Sequence, residues 1–475
     1  MKTVFVSGHF NVLHPGHLRL LRFAKECGDR LLVAIESDRL AGNAAHVPEN
    51  LRLECVQSNN WVDEAFIVDE PVTDIIARLH PDIVIKGKEH ELRFNQELVV
   101  LEQYGGKLLF SSGETVFSSL DLIRKEFRNL DSHSIILPHD YFKRHGVTNI
   151  RLATLLQSFS NLKVCVVGDL IIDEYITCQP LGMSQEDTTI VVMPVDTTRF
   201  IGGAGIVAAH AAGLGASVQF ISVTGNDSVR EFAVEGLTQV GVDARLFVDE
   251  SRPTTLKQRY RAKGKSLLRV SHLHQSAISI ALQNQILQEL ELVIEGIDVL
   301  VFSDFNYGCL PQSLVEKIVL IAKKSGVILT ADSQSSSQVG DISRFKEMDL
   351  LTPTEREARI STRNREDGLV VLAEQLRQQA SAKNILLKLG EEGLLIHAGN
   401  GTADEWLTDR VDALNSSPKD VAGAGDSLLI TSAMSIASGG TIWEAACLGS
   451  LAAAVQVGRV GNTPIQTDEL LRELL

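Results

Sequence analysis

Two short segments of this chain combine residue types that handle phosphate. Near the start, Gly8-His9-Phe10-Asn11-Val12-Leu13-His14-Pro15-Gly16-His17 sets two histidines beside glycine and proline. Near the end, Gly423-Ala424-Gly425-Asp426 sets a carboxylate after three small residues. Imidazoles stabilise the charge that builds up on an attacked α-phosphate. A carboxylate beside free backbone amides suits transfer of a γ-phosphate to a hydroxyl.

The paired histidines follow a predicted strand that ends at Gly8. Pro15 is well tolerated in a first helical turn, because its missing N–H has no partner there. Free amides and the positive end of a helix dipole then lie beside His14 and His17, and Gly16 lets a nucleotide approach the backbone. We predict that both histidines are catalytic. The alternative is two solvated or core histidines that lie close by chance.

The acidic segment precedes a predicted helix of small residues, Ser427–Ser438. Successive N–H groups at its start form an anion hole, so Gly423, Ala424 and Gly425 are predicted phosphate ligands. Asp426 is the predicted base that accepts a proton from a sugar hydroxyl. The alternative is an aspartate that only caps a glycine-rich turn.

The elements that position these segments follow an α/β pattern. Short apolar runs alternate with helical stretches over residues 1–130, which predicts a doubly wound domain with a parallel sheet. Its predicted strands are Thr3–Ser7, Leu31–Glu36, Ala65–Val68, Asp82–Ile85 and Lys107–Phe110. Polar residues interrupt the pattern over 131–148, which we interpret as a linker.

A second α/β domain is predicted over 149–475, beginning with a helix at Ile150–Ser158. Its predicted strands are Val164–Val167, Val218–Ser222, Val299–Phe302, Val327–Ala331, Ile385–Leu387 and Leu394–His397. Thr- and Val-rich stretches interrupt the alternation of strands and helices at Thr188–Val195, and at Thr254–Arg261 continuing to Leu267–Val270. These stretches predict a small antiparallel β flap.

Bulk composition narrows the function classes. A chain of 475 residues is too long for one ordinary core, which favours two domains. The net charge of −15 argues against nucleic-acid and anionic-membrane partners. The six cysteines form no C-x-x-C pair, which favours a reducing compartment over a disulfide framework or zinc site. With no signal peptide and no long apolar run, a cytoplasmic enzyme is expected.

The first 130 residues resemble the cytidylyltransferase-like nucleotidyltransferases, whose H-x-G-H histidines bind a triphosphate. Asp82-Ile83-Val84-Ile85-Lys86-Gly87 resembles their "DILVKG" strand, Arg52 matches a recurrent arginine, and Ser118-Ser119 matches the start of their "STT" helix. Asn11, Ala41 and Leu120 depart from the family's Asp, Lys and Thr. The nucleotide-binding residues that the resemblance implies are Gly8, Phe10, Gly16, Lys86, Ser118 and Ser119.

From about Leu162 onward the chain resembles the ribokinase-like (PfkB-type) sugar kinases. The similar segments are Gly168-Asp169 with Asp173, Gly202-Gly203-Ala204-Gly205, Ser303-Asp304-Phe305, and Lys388-Leu389-Gly390-Glu391-Glu392-Gly393. The resemblance implies sugar binding by Asp173, Gly202 and Gly203. It implies nucleotide binding by Lys388, Gly390 and Gly393, and an indirect link from Glu357 to Mg²⁺.

Several positions depart from that family's pattern. Its Asn in G-G-A-x-N is Ile206 here, its Asn in N-x-x-E is Thr354, and its Thr before Gly423 is Ala422. The lysines of "SDYAKG" and "DPK" are Tyr307 and Gln334. Because the phosphate-handling residues are kept while sugar-facing positions change, a different sugar is the simplest interpretation.

The two resemblances together are closest to the bifunctional heptose-phosphate kinase/heptose-1-phosphate adenylyltransferases of lipopolysaccharide synthesis, with the domain order reversed. They imply a transferase that uses Mg²⁺ and ATP to phosphorylate a sugar or sugar phosphate. They also imply nucleotidyl transfer from ATP or CTP to a sugar 1-phosphate, giving an ADP-heptose-like product. A homodimer through the flap is a further implication. The alternatives are a single active domain, or a non-catalytic sensor of nucleotide and sugar phosphate.

Overall fold

The structure is a computed structural model that describes residues 2–13, 15–87, 95–110, 135–187, 189–262, 265–335, 340–399 and 406–474. The predicted site residues His14, Ser118 and Ser119 lie outside this range, as does Leu120. Two compact units are present, Met1–Ser132 with Arg365–Leu372, and His133–Asn364 with Ala373–Leu475. No described helix is both long and apolar enough to cross a membrane.

The first unit contains a parallel sheet. Its strands are β1 Thr3–Gly8, β2 Arg30–Glu36, β3 Glu64–Val68, β4 Ile83–Lys86 and β5 Lys107–Phe110. Its described helices are α1 Pro15–Glu26, α2 Asp38–Ala41, α3 Glu49–Gln57, α4 Val72–Leu79 and α5 Gln96–Glu102. The strand order is β3-β2-β1-β4-β5, and every adjacent pair is parallel. All five predicted strands are confirmed within one residue at each end, because strands covered on both faces are nearly continuous apolar runs.

The second unit contains two sheets. Its described strands are β6 Lys163–Gly168, β7 Leu170–Met183, β8 Ile190–Gly203, β9 Ser217–Thr224, β10 Asp243–Val248, β11 Leu256–Ala262, β12 Lys265–His272, β13 Val299–Asp304, β14 Ile328–Ser333, β15 Leu350–Leu351, β16 Asn384–Lys388, β17 Leu394–Gly399 and β18 Trp406–Val411. The larger sheet has nine strands in the order β10-β9-β6-β13-β14-β15-β16-β17-β18. In this order, the strands from β10 at the edge through β9, β6, β13, β14 and β15 to β16 are parallel to one another, and β17 and β18 each pair antiparallel with the preceding strand. The six predicted strands of this sheet are confirmed, whereas β10, β15 and β18 were not predicted.

Further helices are described from residue 135 onward. They are α6 His139–His145, α7 Asn149–Ser158, α8 Ala204–Gly213, α9 Ser228–Gln239, α10 Ile280–Val293, α11 Gln312–Lys324, α12 Glu355–Thr362, α13 Leu369–Ala380, α14 Ala424–Ala437, α15 Ile442–Val457 and α16 Thr467–Leu474. Short 3₁₀ turns occur at Gly42–Ala44, Phe159–Asn161, Ile294–Gly296, Ile342–Arg344 and Gly390–Glu392. Helices α8, α14 and α15 are rich in Ala, Gly and Ser and are buried around most of their circumference. Small side chains let these helices pack closely in the core.

The stretch interpreted as a linker contributes to the core of the second unit. Tyr141 and Phe142 of α6 are buried, and the Tyr141 hydroxyl donates to the Trp443 carbonyl at 2.8 Å. The His145 ring stacks on Trp443 with 4.0 Å between centroids. Residues 135–148 therefore belong structurally to the second unit.

The predicted flap is a four-stranded sheet in the order β12-β11-β7-β8. The prediction that it is antiparallel is wrong at its centre, because β7 and β11 run parallel. The chain between these strands passes through the larger sheet rather than through a hairpin, so it returns in the same direction. The prediction also missed β7, which follows β6 after a single residue.

Candidate active sites

The first candidate site lies where the strand order of the first unit reverses. The chain passes from β1 to β2 and β3 on one side, and then to β4 on the other side of β1. Ligands of open α/β sheets bind at such a point, beyond the carboxyl ends of the strands. Gly8 ends β1 and Lys86 ends β4, so two predicted nucleotide-binding residues lie at this edge.

His17 lies in the first turn of α1, which begins at Pro15 as predicted and includes Gly16. The His17 Nδ1 atom lies 3.1 Å from the Val12 carbonyl oxygen. Because a carbonyl only accepts, this contact requires a proton on Nδ1. The contact holds the imidazole in the first turn of α1, at the end of the helix that attracts anions.

Phe10 is placed in the core rather than at an open surface. Its side chain is 3% exposed, and its ring centroid lies 5.0 Å from that of His17. The backbone of Phe10 has a φ of +47°, and a Cβ at Gly8 would lie 3.3 Å from its ring. Phe10 and Gly8 thus shape the turn that carries His17.

Asn11 explains one departure from the family pattern. Its Nδ2 atom donates to the Ala44 carbonyl at 2.7 Å, and its Oδ1 atom accepts from the His46 amide at 2.8 Å. An ionised aspartate has no N–H to donate and would lose the first of these bonds. Asn11 therefore fastens the loop after α2 to the turn after β1.

Arg52, the arginine matched by sequence, is fully buried. Its guanidinium donates to the carbonyls of Val47 at 2.7 Å, His9 at 2.7 Å and Glu36 at 2.9 Å, and to Asp38 Oδ1 at 2.5 Å. His9 follows β1 and Glu36 ends β2. Arg52 therefore joins the ends of two central strands and supports the site from within.

Lys86 is paired with an acid. Its Nζ atom lies 2.7 Å from Glu97 Oε1, and the two side chains are only 19% and 13% exposed. An incoming phosphate would compete with Glu97 for this ammonium group.

The second candidate site lies at the corresponding edge of the nine-stranded sheet. Strand β6 lies between β9 and β13, so the order reverses between β6 and β13. The parallel strands β6, β13, β14 and β16 end at Gly168, Asp304, Ser333 and Lys388. Carboxyl ends of parallel strands share one edge, which is where α/β enzymes hold their ligands.

Asp426 combines burial with a free helix terminus. Gly423 caps α14 with a φ of +76°, and Ala424, Gly425 and Asp426 form its first turn. Among the described residues, the Gly425 and Asp426 amides have no backbone acceptor, as expected of an anion hole. Burial raises the pKa of Asp426 to about 7, with a further contribution from the Asp332 carboxylate. A carboxylate with a pKa near neutrality is well suited to act as a base.

Gln334 and Lys388 flank this aspartate. The Gln334 Nε2 atom donates to Asp426 Oδ1 at 3.1 Å. The Lys388 Nζ atom donates to Asp332 Oδ2 at 2.7 Å, and a Cβ at Gly425 would lie 3.1 Å from Nζ. Burial opposes the charged form of Lys388, but the Asp332 and Glu357 carboxylates outweigh it and raise the pKa of its ammonium group.

Gly390 and Gly393 form the turn between β16 and β17. Their φ values are +64° and +92°, and a Cβ at Gly393 would collide with the Val411 carbonyl. Both glycines are therefore required by the backbone, whatever they do for a nucleotide.

The residues of the second candidate site are compatible with a Mg²⁺ ion whose ligands are mostly phosphate oxygens and water molecules. No cluster of three or more His, Cys, Asp or Glu side chains within the described ranges is arranged to bind a metal. Asp332 Oδ1 is buried there without a partner and is the type of oxygen that Mg²⁺ prefers. Both Glu357 oxygens accept backbone amides, from Ser335 at 3.0 Å and Thr354 at 2.7 Å. Any metal role of Glu357 is therefore indirect.

Asp169 shapes the loop after β13. Its carboxylate accepts the amides of Phe305 at 2.8 Å, Tyr307 at 3.3 Å and Cys309 at 3.2 Å. Ile206, at the departure in the glycine-rich segment, has no exposed surface and lies within α8.

Asp173, predicted to bind sugar, lies on β7 and is 7% exposed. A Cβ at Gly202 would collide with its Oδ2 atom, and one at Gly203, where φ is +57°, would lie 2.5 Å from the Asp169 carbonyl. Gly202 thus makes room for the Asp173 carboxylate, and Gly203 makes room for the backbone of Asp169.

Sequence reasoning missed a row of cations on the flap. Lys257, Arg259 and Arg261 alternate along β11 and share one face, in register with Asp173 and Tyr175 of β7. The Arg259 and Arg261 guanidinium groups each lie 5.2 Å from the Tyr175 ring centroid. Alternating basic residues were a signal, but only the pairing with β7 places them beside Asp173.

Lys257 links this row to the aromatic loop after β13. Its Nζ atom lies 5.2 Å from the Phe305 ring centroid and 5.1 Å from that of Tyr307. Tyr307, where the resembling family has a lysine, is therefore covered by a lysine from the flap.

Comparison with known proteins adds independent findings. Residues 5–110 match the cytidylyltransferase-like family. Bifunctional protein HldE of Helicobacter hepaticus is 31% identical over 314 residues, which are 65% of this chain and 63% of that protein. HldE of Campylobacter fetus is 31% identical over 313 residues, or 65% of this chain and 66% of that protein. The chain thus spans slightly less than two thirds of the length of these relatives.

Solved structures share the fold of the second unit. A carbohydrate kinase from Agrobacterium tumefaciens has a TM-score of 0.51 at 24% identity, covering 66% of this chain and 97% of that one. Ribokinase of Thermotoga maritima has a TM-score of 0.52 at 21% identity, covering 66% and 99%. Residues 161–468 match the model of the pfkB family carbohydrate kinases, which is well over half of the sequence. The chain therefore belongs to the pfkB family of carbohydrate kinases.

Proposed function

We propose that the second unit transfers the γ-phosphate of ATP to a sugar hydroxyl, with Asp426 as the base. The observation that carries this proposal is a buried carboxylate, with a pKa raised to about 7, in the first turn of a helix with free amides. Asp426 accepts the hydroxyl proton while the Gly425 and Asp426 amides stabilise the transferred group. A bound Mg²⁺ would neutralise phosphate charge, and Asp332 Oδ1 is the oxygen positioned to help hold it.

The flap supports a phosphorylated sugar as the acceptor. Lys257 and Arg259 share a face with Asp173, and only Asp173 neutralises Arg259 there, through a 3.4 Å contact within the described residues. A neutral sugar does not require such a row of cations, whereas a sugar phosphate is bound well by one. Asp173 is then left to accept from a sugar hydroxyl.

Replacing Arg259 with methionine tests this choice of acceptor. We expect KM for sugar phosphates to rise about tenfold or more, since a charge-assisted hydrogen bond contributes roughly 1.5–3 kcal/mol. KM for the unphosphorylated sugars should change much less. Sugar-dependent ADP release measures both. Lys265→Met, on the exposed strand β12, is the matched control, and an equal rise for both acceptor classes would contradict the assignment.

We further propose that the first unit joins a nucleotide to a sugar 1-phosphate and releases pyrophosphate, giving an ADP-heptose-like product. Support comes from His17 at the strand-order reversal, from the match of residues 5–110, and from the word bifunctional in the names of the HldE relatives. A kinase that phosphorylates the anomeric oxygen would supply this unit with its substrate.

His17→Gln tests the second activity. We expect pyrophosphate release from ATP or CTP with sugar 1-phosphates to fall about a hundredfold, because the donor to the α-phosphate is weakened. Sugar-dependent ADP release by the same variant should stay at the wild-type rate, which is the internal control. Loss of both activities would indicate misfolding. Wild-type protein active in one assay only would favour a single active domain, and inactivity in both would favour a sensor.

We propose a homodimer through the flap. Val191, Met193 and Val195 alternate along β8 and are 40%, 46% and 64% exposed, and Leu181 and Met183 of β7 are about 60% exposed. We propose that a second copy of the chain covers these exposed apolar side chains of β7 and β8. Sedimentation should give a dimer for the wild type and a monomer for Met193→Glu; a wild-type monomer would contradict the proposal.

A further inference from the structure

The end of strand β16 places a buried ammonium group against the anion hole. The Lys388 side chain is 13% exposed, and its Nζ atom lies where a Cβ at Gly425 would be only 3.1 Å away. An ion pair with Asp332 alone does not require the amine to lie so close to the first turn of α14. The absence of a side chain at position 425 leaves amine and helix terminus facing the same space.

The donors of Lys388 are only partly used. An ammonium group has three N–H donors, and among the described residues Nζ makes one hydrogen bond, to Asp332 Oδ2 at 2.7 Å. The amine that carries the remaining donors is the group a Cβ at Gly425 would approach, and the Gly425 amide has no backbone acceptor within the described residues. Donors of an ammonium group that remain available beside the start of a helix are well placed to bind an anionic group.

The carboxylates around Lys388 and Asp426 would repel an incoming triphosphate unless a cation lay beside them. The carboxylates of Asp332, Glu357 and Asp426 all act on Lys388, while Gln334 is neutral and is bonded to Asp426. From the flap, Lys257 acts on Asp426 as well. Without Lys388, the carboxylates of Asp332, Glu357 and Asp426 would lose the cation that acts on all of them, and their charge would oppose the binding of an anionic substrate.

Resting on the proposed phosphotransfer, we propose that Lys388 contacts the γ-phosphate, neutralises it during transfer and makes the site prefer ATP to ADP. In the reaction the acceptor oxygen forms a bond to the γ-phosphorus while the bond from that phosphorus to the β,γ-bridging oxygen breaks. ADP leaves with the bonding electron pair, and the hydroxyl proton passes to Asp426. Lys388 keeps its proton throughout and acts by charge and hydrogen bonding.

The test compares two nucleotides that differ at the γ-position. Calorimetry with β,γ-imido-ATP and with ADP gives Kd values for the wild type and for Lys388→Met. We expect the variant to bind the ATP analogue about tenfold or more weakly and ADP within about threefold of the wild type. Its kcat for sugar-dependent ADP release should fall about a hundredfold. Lys383→Met, an exposed lysine that precedes β16, is the matched control and should change neither quantity.

A second pair of variants keeps the test valid if Lys388→Met folds poorly. Removing one partner leaves Asp332 as an unpaired buried charge, so Asp332→Asn is made alone and together with Lys388→Met. The double variant should be less selective for the ATP analogue over ADP than Asp332→Asn alone. Equal losses for both nucleotides, or no loss, would overturn the proposal and leave Lys388 a structural residue. If no sugar yields ADP with wild-type protein but the selectivity still changes, the phosphotransfer proposal fails and the Lys388 contact stands.

Discussion

Replacing Asp426 with asparagine is expected to lower kcat of sugar phosphorylation by about a hundred- to ten-thousandfold, the range that general bases contribute. Asparagine keeps the shape and the hydrogen bond to Gln334 but cannot accept the hydroxyl proton. Wild-type kcat/KM should fall as pH decreases through about 7, because protonation of Asp426 removes the base. Sugar-dependent ADP release over pH 5–9 measures this. Turnover of the variant at the wild-type rate would contradict the role of Asp426.

The same substitution is expected to stabilise the protein. A buried carboxyl whose pKa is raised favours its neutral form, so the folded state gains from this group at low pH. That gain is lost as pH rises from about 4 to about 7. Because asparagine never ionises, the variant should exceed the wild type in free energy of unfolding by a few kcal/mol at pH 8, given about 1.4 kcal/mol per pKa unit. Urea unfolding at pH 4 should give a much smaller difference.

Replacing Arg52 with methionine is expected to destabilise the first unit by about 3–5 kcal/mol. The substitution leaves the carbonyls of His9, Glu36 and Val47 without their buried donor, and each such loss costs roughly 1–3 kcal/mol. Lysine would not rescue the fold, because only the planar guanidinium reaches all four acceptors. Pyrophosphate release should be lost at moderate temperature while sugar-dependent ADP release persists.

An exposed arginine of the same unit provides the matched control. Arg39 pairs with Asp69, and the two side chains are 72% and 57% exposed. Arg39→Met should therefore change stability by less than about 1 kcal/mol. Thermal unfolding followed by circular dichroism separates the two variants. Equal unfolding temperatures for Arg52→Met and Arg39→Met would contradict the conclusion that Arg52 stabilises the first unit by joining the ends of β1 and β2.

The sequence predicted strands well where a strand is buried on both faces, because such a strand is a continuous run of apolar residues. The strands that end at Gly8, Lys86 and Gly168 were placed within one residue, and predicted nucleotide- or sugar-binding residues lie at or soon after their ends. Residues near the ends of parallel strands must converge on one sheet edge, so the regions of both sites were predictable too. Short or half-exposed strands such as β10 and β15 were missed, because their patterns are too brief to stand out.

The sequence by itself determined the chemistry at each end of the chain: a histidine at a strand-to-helix turn and an aspartate after a run of small residues. Tertiary structure alone decided which charges surround them. Lys388 reaches Gly425 from a strand 37 positions earlier in the chain. Lys257 and Arg259 reach Asp173 only through a parallel pairing that no local pattern reveals. Backbone periodicity is a local property, whereas the electrostatics of a site sums charges that lie far apart in sequence and close in space.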